Sequence, residues 1–163
     1  MNPEFVGRFI SELRPAFEAD DRQVASKAVE GENVSRIRAI YEAIRQGDST
    51  SFSDALADDV EFELVGPADS PMTGHWRGRD EVLAGSAQNY ARLQDQRPEL
   101  VAVIAQGDQV VVIGREKGLI RATGREYEVP WMHLFTFREG KVVRIYGFSD
   151  SHPLIQASTR REA

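Results

Sequence analysis

The side chains best able to do chemistry gather in one stretch, "WMHLFTFREGKVVRIYGFSD", Trp131 to Asp150. His133 can donate a hydrogen bond to a carbonyl or move protons near neutral pH. Asp150, set among Trp131, Tyr146 and Phe148, would be desolvated, and desolvation raises a carboxyl pKa into a range useful for acid or base work. Tyr146 supplies a hydroxyl donor. Plainer uses stand beside these. Asp150 can cap the turn at "SDSHP", and His133 can be a core histidine satisfied by Tyr146.

Whether these groups meet depends on strand register. With Glu139-Gly140 as a two-residue turn, Arg138 pairs with Lys141, Phe137 with Val142, His133 with Tyr146 and Trp131 with Phe148. One face then carries Trp131, His133, Phe135, Phe137, Tyr146, Phe148 and Asp150, and reads as the lining of a small apolar cavity. The other carries Met132, Leu134, Thr136, Val143 and Ile145, an aliphatic face expected to meet a second copy of the chain. One extra residue at the turn would send Asp150 to the opposite face.

Further candidates are scattered. Tyr41 is a possible hydrogen-bond donor on a helix, Phe62 a wall residue on the strand "VEFELV", and Tyr90 either a core or a ligand-contact residue on a later helix. Trp76, beside His75 in "GHWRG", either lids a pocket from a loop or anchors that loop. "GREKG" offers Arg115 and Glu116, of which alternation lets only one point inward. His75, His133 and His152 lack any ligand spacing, so neither a metal nor another cofactor is expected. Phosphate loops, nucleophile elbows and dinucleotide fingerprints are absent from the sequence.

The elements that must position these groups follow from periodicity. Residues 1–32 read as an N-terminal helical extension with the stripe Phe5, Phe9, Leu13 and Phe17. Gly31 is its expected stop and Asn33 the next N-cap. Val34 to Gln46 makes an amphipathic helix, Ser53 caps a short one, and Val60 to Val65 alternates as a half-buried strand. A loop with two prolines precedes a helix from Glu81 to Leu93. After Pro98 the chain reads as a four-stranded antiparallel meander with turns at Gly107-Asp108, Thr123-Gly124 and Glu139-Gly140. Helices first and sheet afterwards indicate an α+β fold.

The 163 residues suit one domain, and a 41% hydrophobic content supports a sizeable core. A net charge of −6 and a pI near 5.1 disfavour nucleic acid, which needs a concentrated basic surface. No run approaches the roughly 20 apolar residues of a membrane span. With no cysteine and no signal-peptide pattern at the N-terminus, a soluble cytoplasmic protein is expected.

The order helix, short helix, strand, loop, helix and four long strands resembles the nuclear transport factor 2-like superfamily, and within it SnoaL-like and ketosteroid isomerase-like proteins. The residues carrying the resemblance are "YEAIRQGD", "LADDVEFEL", "GHWRGRDEV", "TGREYEVPW", "FTFREGKVVRI" and "FSD". It covers residues 33–152, leaving 153–163 as a tail. It implies a cone-shaped half-barrel, a strongly bent and mostly antiparallel sheet wrapped around N-terminal helices, with a pocket at the open end and dimerisation through the outer sheet face. It also places His133 near an oxyanion-hole position, Tyr41 one residue out of step with a helix tyrosine, and the isomerase base at Leu64, which cannot accept a proton. Asp150 resembles a carboxylate at the last strand of polyketide cyclases and limonene-type epoxide hydrolases. The implied activity is cofactor-independent proton transfer on a small hydrophobic carbonyl or cyclic molecule. A non-catalytic binding module and an epoxide hydrolase are the alternatives.

Overall fold

The computed structural model describes residues 27–159. The stripe Phe5, Phe9, Leu13 and Phe17 lies outside the described residues. Helix α1, Lys27–Gln46, buries Asn33, Ile37, Ile40 and Ala43, a spacing of three and four that marks one helical face. It runs through the expected stop at Gly31. A glycine inside a helix costs only about 1 kcal/mol relative to alanine, and packing of the apolar face outweighs that. Asn33 is therefore no cap; it lies buried within the helix and accepts a hydrogen bond from Arg36 at 3.1 Å.

Helix α2, Ser49–Ala55, is capped not by Ser53 but by Asp48, whose side chain accepts from the Ser51 amide. Strand β1, Leu56–Val65, turns Val60 and Phe62 inward. The loop that follows contains an unexpected short strand, β2, Gly74–Arg77, paired antiparallel with β1 so that Trp76 lies opposite Phe62. Four residues are too few to declare a period. Helix α3, Arg79–Ala91, leads into β3, Leu93–Gln106. Strand β3 contains Pro98, which an edge strand tolerates.

Strands β4 (Gln109–Ile120), β5 (Arg125–Arg138) and β6 (Lys141–Ser149) complete the meander, with its turns where the sequence placed them. Glu139 and Gly140 both have positive φ, 51° and 76°, the two-residue hairpin turn whose twist matches its strands. The sheet order is β2-β1-β6-β5-β4-β3, with β1 parallel to β6 and every other pairing antiparallel. This is the expected α+β architecture, a curved six-stranded sheet with helices against one face. The first residues of the expected tail, 153–158, lie in helix α4, Ser151–Ser158, which buries Leu154 and Ala157. Among the described residues, no helix is long and apolar enough to cross a membrane.

Two apolar clusters lie on the inner face. The larger joins Ile37 and Ile40 of α1 to Phe62, Val82, Val110, Val112, Phe135 and Ile145. The smaller joins Leu93, Ile120, Tyr127 and Val129 to Leu154 and Ala157 of α4. The cavity described below is bounded by members of both.

The register of the last hairpin departs from the expected one. Phe137 pairs with Val142, but Thr136 pairs with Arg144, leaving Val143 as an extra residue in β6. From there His133 faces Gly147, Leu134 faces Tyr146 and Met132 faces Phe148. A β-bulge inserts one residue and inverts the alternation beyond it. Ile145, expected outside, is buried beside Phe135, and Tyr146 moves to the outer face.

That outer face carries two cross-strand ladders. One runs Ile104, Val111, Leu134, Tyr146, and the other Ala102, Ile113, Met132, Phe148, Val65. Ile104, Phe148 and Val65 are 57%, 47% and 40% exposed.

Candidate active site

A cavity of about 260 Å³ opens between the two clusters, walled by Tyr41, Phe62, Leu64, Tyr90, Leu93, Gln96, Glu116, Tyr127, Val129, Trp131, His133 and Leu154 among others. It falls just below the usual range of drug-sized ligand pockets, roughly 300–1,000 Å³. Its longest wall is β5, whose inward row Tyr127, Val129, Trp131, His133 follows from strand alternation. Glycines on the neighbouring strands make room for that row. A Cβ at Gly114 would run into the Trp131 ring, one at Gly118 into Tyr127, and one at Gly147 into His133.

One end of the cavity holds His133 and Tyr41. The Tyr41 hydroxyl and His133 Nδ1 are 2.8 Å apart. Tyr41 also stacks on Trp131, with centroids 5.6 Å apart and planes 17° from parallel. Burial lowers the His133 pKa to about 4, because the charged imidazolium loses its hydration. Burial, and then the neighbouring Tyr90, raise the Tyr41 pKa well above the usual phenol range. Both groups are neutral at physiological pH.

The other end holds Glu116, the one acidic side chain among the described residues of the wall. The Tyr127 hydroxyl donates to its Oε1. Burial raises the Glu116 pKa, opposed first by the hydrogen bond from Tyr127 and then by the nearby Gln96 side chain, which makes no well-formed hydrogen bond of its own among the described residues. Tyr127 is raised too, first by burial and then by Glu116. Tyr90 keeps 42% of its surface accessible where it lines the cavity, yet burial, followed by Glu116, pushes its hydroxyl up to about 12. The two ends are set by β5 residues four apart: Val129, paired with Glu116, and His133. That spacing is roughly 13 Å at about 3.3 Å per residue.

A profile of the SnoaL-like domain matches residues 37–145, two thirds of the chain. The chain belongs to the SnoaL-like family. Solved structures agree on the fold. An NTF2-like protein from Burkholderia xenovorans is 26% identical, with a TM-score of 0.69 over 80% of this chain and 98% of that one. TerC, co-crystallised with polyporic acid, is 26% identical, with a TM-score of 0.67 over 77% and 98%. A protein of ketosteroid isomerase-like fold from Catenulispora acidiphila, in complex with trimethylamine, is 15% identical, with a TM-score of 0.64 over 76% and 91%, and speaks to fold alone. No curated protein matches the chain.

In this SnoaL-like chain Tyr41, Phe62, Tyr90, Trp131 and His133 come together on the cavity wall. Other expected members lie elsewhere. Tyr146 sits on the outer face, with the Arg144 guanidinium 5.9 Å from its ring centroid. Asp150 is exposed and caps α4, accepting from the His152 amide at 3.2 Å; it is not among the wall residues. The bulge at Val143 separates both from His133. Phe148 reaches the wall although it pairs with Met132 and is 47% exposed. Trp76 is not on the wall; it packs against Phe62, with centroids 5.4 Å apart, over Gly74 and Gly85. Arg115 points outward into a bidentate pair with Glu99 at 2.9 and 3.0 Å.

Tyr127 and Gln96 were missed as site residues, and the choice between Arg115 and Glu116 was left open. For Glu116 a signal was present. Val110, Val112, Gly114, Glu116, Gly118 and Ile120 form one period-two row, and burying its valines turns Glu116 inward. Gln96 lies beside a register irregularity in β3 and Asp95 has a positive φ of 53°, so alternation could not place it. Among the described residues, no group of three or more His, Cys, Asp or Glu side chains is arranged to hold a metal ion.

Proposed function

We propose that this SnoaL-like protein admits a small hydrophobic molecule bearing a carbonyl or ring and catalyses proton transfer on it without a cofactor, as an isomerase, cyclase or dehydratase would. The observation that carries this is the Tyr41–His133 contact inside the cavity. A neutral imidazole has one N–H and a phenol one O–H. Their mutual hydrogen bond uses one proton, so the pair keeps one donor and one acceptor. If Tyr41 donates, His133 Nε2–H is the remaining donor; if His133 donates, it is the Tyr41 hydroxyl. Such a pair can polarise a carbonyl oxygen and relay a proton, giving its free proton to that oxygen as its free acceptor takes the α-proton, so that no imidazolium, which burial disfavours, is left behind. The aromatic wall of Trp131, Phe62 and Tyr90 suits a cyclic ligand. TerC, with polyporic acid in its crystals, lends the same support.

A second reading, a non-catalytic binding module, draws support from Leu64 on the wall and from the use of Asp150 as a helix cap. Exchange of the α-protons of 1-tetralone in D₂O, followed by NMR, separates the two. Catalysed exchange should fall by about 10²–10⁴ in His133→Phe, with ligand affinity changed only a few-fold. Wild-type protein that binds the ketone without accelerating exchange would leave only the binding module. The same proposal includes a homodimer through the outer face, because the Ile104–Val111–Leu134–Tyr146 ladder is apolar. Its side chains are worth roughly 1.5–3 kcal/mol each when fully buried.

A further inference from the structure

We propose that the Glu116 end of the cavity is a recognition site for a hydroxyl group on the ligand, remote from the carbonyl held at the Tyr41–His133 end. The inference rests on the carbonyl-binding reading above and deepens it.

Glu116 Oε1 already accepts from the Tyr127 hydroxyl, which leaves the second carboxylate oxygen able to accept from a ligand donor. The buried Gln96 Nε2 lies near enough to Glu116 to act on its pKa, yet makes no well-formed hydrogen bond among the described residues, although its residue lines the cavity. Leaving a buried donor unpaired is costly, so a ligand oxygen within reach of this amide would be favoured. A hydroxyl meets both needs. Its proton goes to Glu116 and its oxygen receives the amide N–H of Gln96. An ammonium would satisfy Glu116 and leave Gln96 unpaired, and a second carbonyl would do the reverse while facing the carboxylate.

The position of Glu116 is built into the strand. Gly114 and Gly118 flank it on the inward row, and the space their missing side chains leave is taken by the rings of Trp131 and Tyr127. Those rings fence the carboxylate on both sides along β4, and Tyr90 is near enough to feel its charge. The ligand class is therefore an apolar, flat cyclic ketone with a hydroxyl on the far side of the ring system.

Three probes of one shape test this by isothermal titration: 1-tetralone, 6-methoxy-1-tetralone and 6-hydroxy-1-tetralone. Wild-type protein should bind the hydroxy compound about 10–100-fold more tightly than the parent, the range for a hydrogen bond to a charged group. The methoxy compound, which accepts but cannot donate, should gain nothing. In Glu116→Leu the ratio of hydroxy to parent affinity should shrink to within about two-fold, and Gln96→Leu should lose part of the preference. If Glu116→Leu fails to fold by thermal melt, Glu116→Gln carries the test, since it keeps the shape and removes the charge; the preference should still fall at least several-fold. A wild-type protein that binds parent and hydroxy ketones equally overturns the inference and leaves the carbonyl-pocket reading standing. So does a preference that survives in the folded Glu116 variants. Failure to bind any of the three overturns the carbonyl-pocket reading, and this one with it.

Discussion

Strands β4 and β6 both flank β5, and they treat the cavity in opposite ways. Strand β4 pairs with β5 over twelve residues without a slip, from Gln109 opposite Thr136 to Ile120 opposite Arg125. Its alternation therefore persists to the far end and delivers Glu116 to the cavity wall. Strand β6 takes in one extra residue at Val143, and everything after it changes face. Tyr146 goes outside, Gly147 comes inside, and His133 occupies the space that the glycine leaves. The regular strand contributes a carboxylate and the bulged one contributes room. Membership of a site in a sheet is decided by register, and one inserted residue outweighs any amount of suggestive chemistry in the side chains beyond it.

The largest expected effect tests what the outward-turned residues are for. Leu134 lies between Val111 of β4 and Tyr146 of β6 on the outer face. Leu134→Lys should convert the proposed dimer to monomer, read as a halved mass by light scattering at micromolar concentration. A monomeric wild type would show that the ladder has another cover.

The next effect tests the space left by β6. His133 titrates near 6.5 when unfolded and at about 4 when folded. Above pH 6.5 both states are neutral and the histidine contributes nothing to the pH dependence. Between pH 6.5 and 4 the unfolded chain takes up a proton that the folded one refuses, so stability falls as pH falls, by something on the order of 3 kcal/mol. Urea melts across that window should show the slope in wild type and a flatter one in His133→Gln. Equal slopes would place the imidazole in a wetter environment.

A smaller effect sharpens the account of β4. Gly114→Ala puts a methyl group against the Trp131 ring. Overpacking of this kind costs about 1–3 kcal/mol, and the displaced ring should also weaken binding of 1-tetralone. The smallest effects belong to the residues that β6 and its cap hold away from the cavity. Asp150→Ala should cost about 1 kcal/mol through the lost cap of α4. Tyr146→Phe should cost less, and neither should change the ketone exchange rate per folded molecule. A hundred-fold loss of exchange in Asp150→Ala at unchanged stability would restore that carboxylate to the chemistry.

Most of the fold was legible because its signals are local and strong. The three hairpin turns were placed by Gly107, Gly124 and Gly140, and the α+β order by the two periodicities. What failed was local evidence overruled by tertiary packing. Gly31 lies inside α1 because Ile37 and Ile40, a turn or two further on, are anchored in the core. The site was half legible. Phe62, Trp131 and His133 follow from strand alternation, Tyr41 from its helix and the family resemblance, and Tyr90 from its helix stripe, and all line the cavity. Tyr146 and Asp150 were misplaced because a bulge at Val143 leaves no mark in residue types; valine there looks like any strand residue. The choice between Arg115 and Glu116 stayed open because the partner of Glu116, Tyr127, is eleven positions away, and only strand pairing brings them together.

The cavity also carries its own optical reporter. The chain has two tryptophans, and only Trp131 is on the wall, stacked on Tyr41 and 4.8 Å from the His133 ring centroid. Trp76 is turned away, into the contact with Phe62. An aromatic ketone entering the cavity must pass within van der Waals reach of the Trp131 indole, so its arrival should quench or shift the emission of one fluorophore and leave the other as an internal reference. Occupancy can then be followed in the unlabelled protein, at nanomolar to micromolar concentration and on the stopped-flow timescale, with Trp76→Phe isolating the signal.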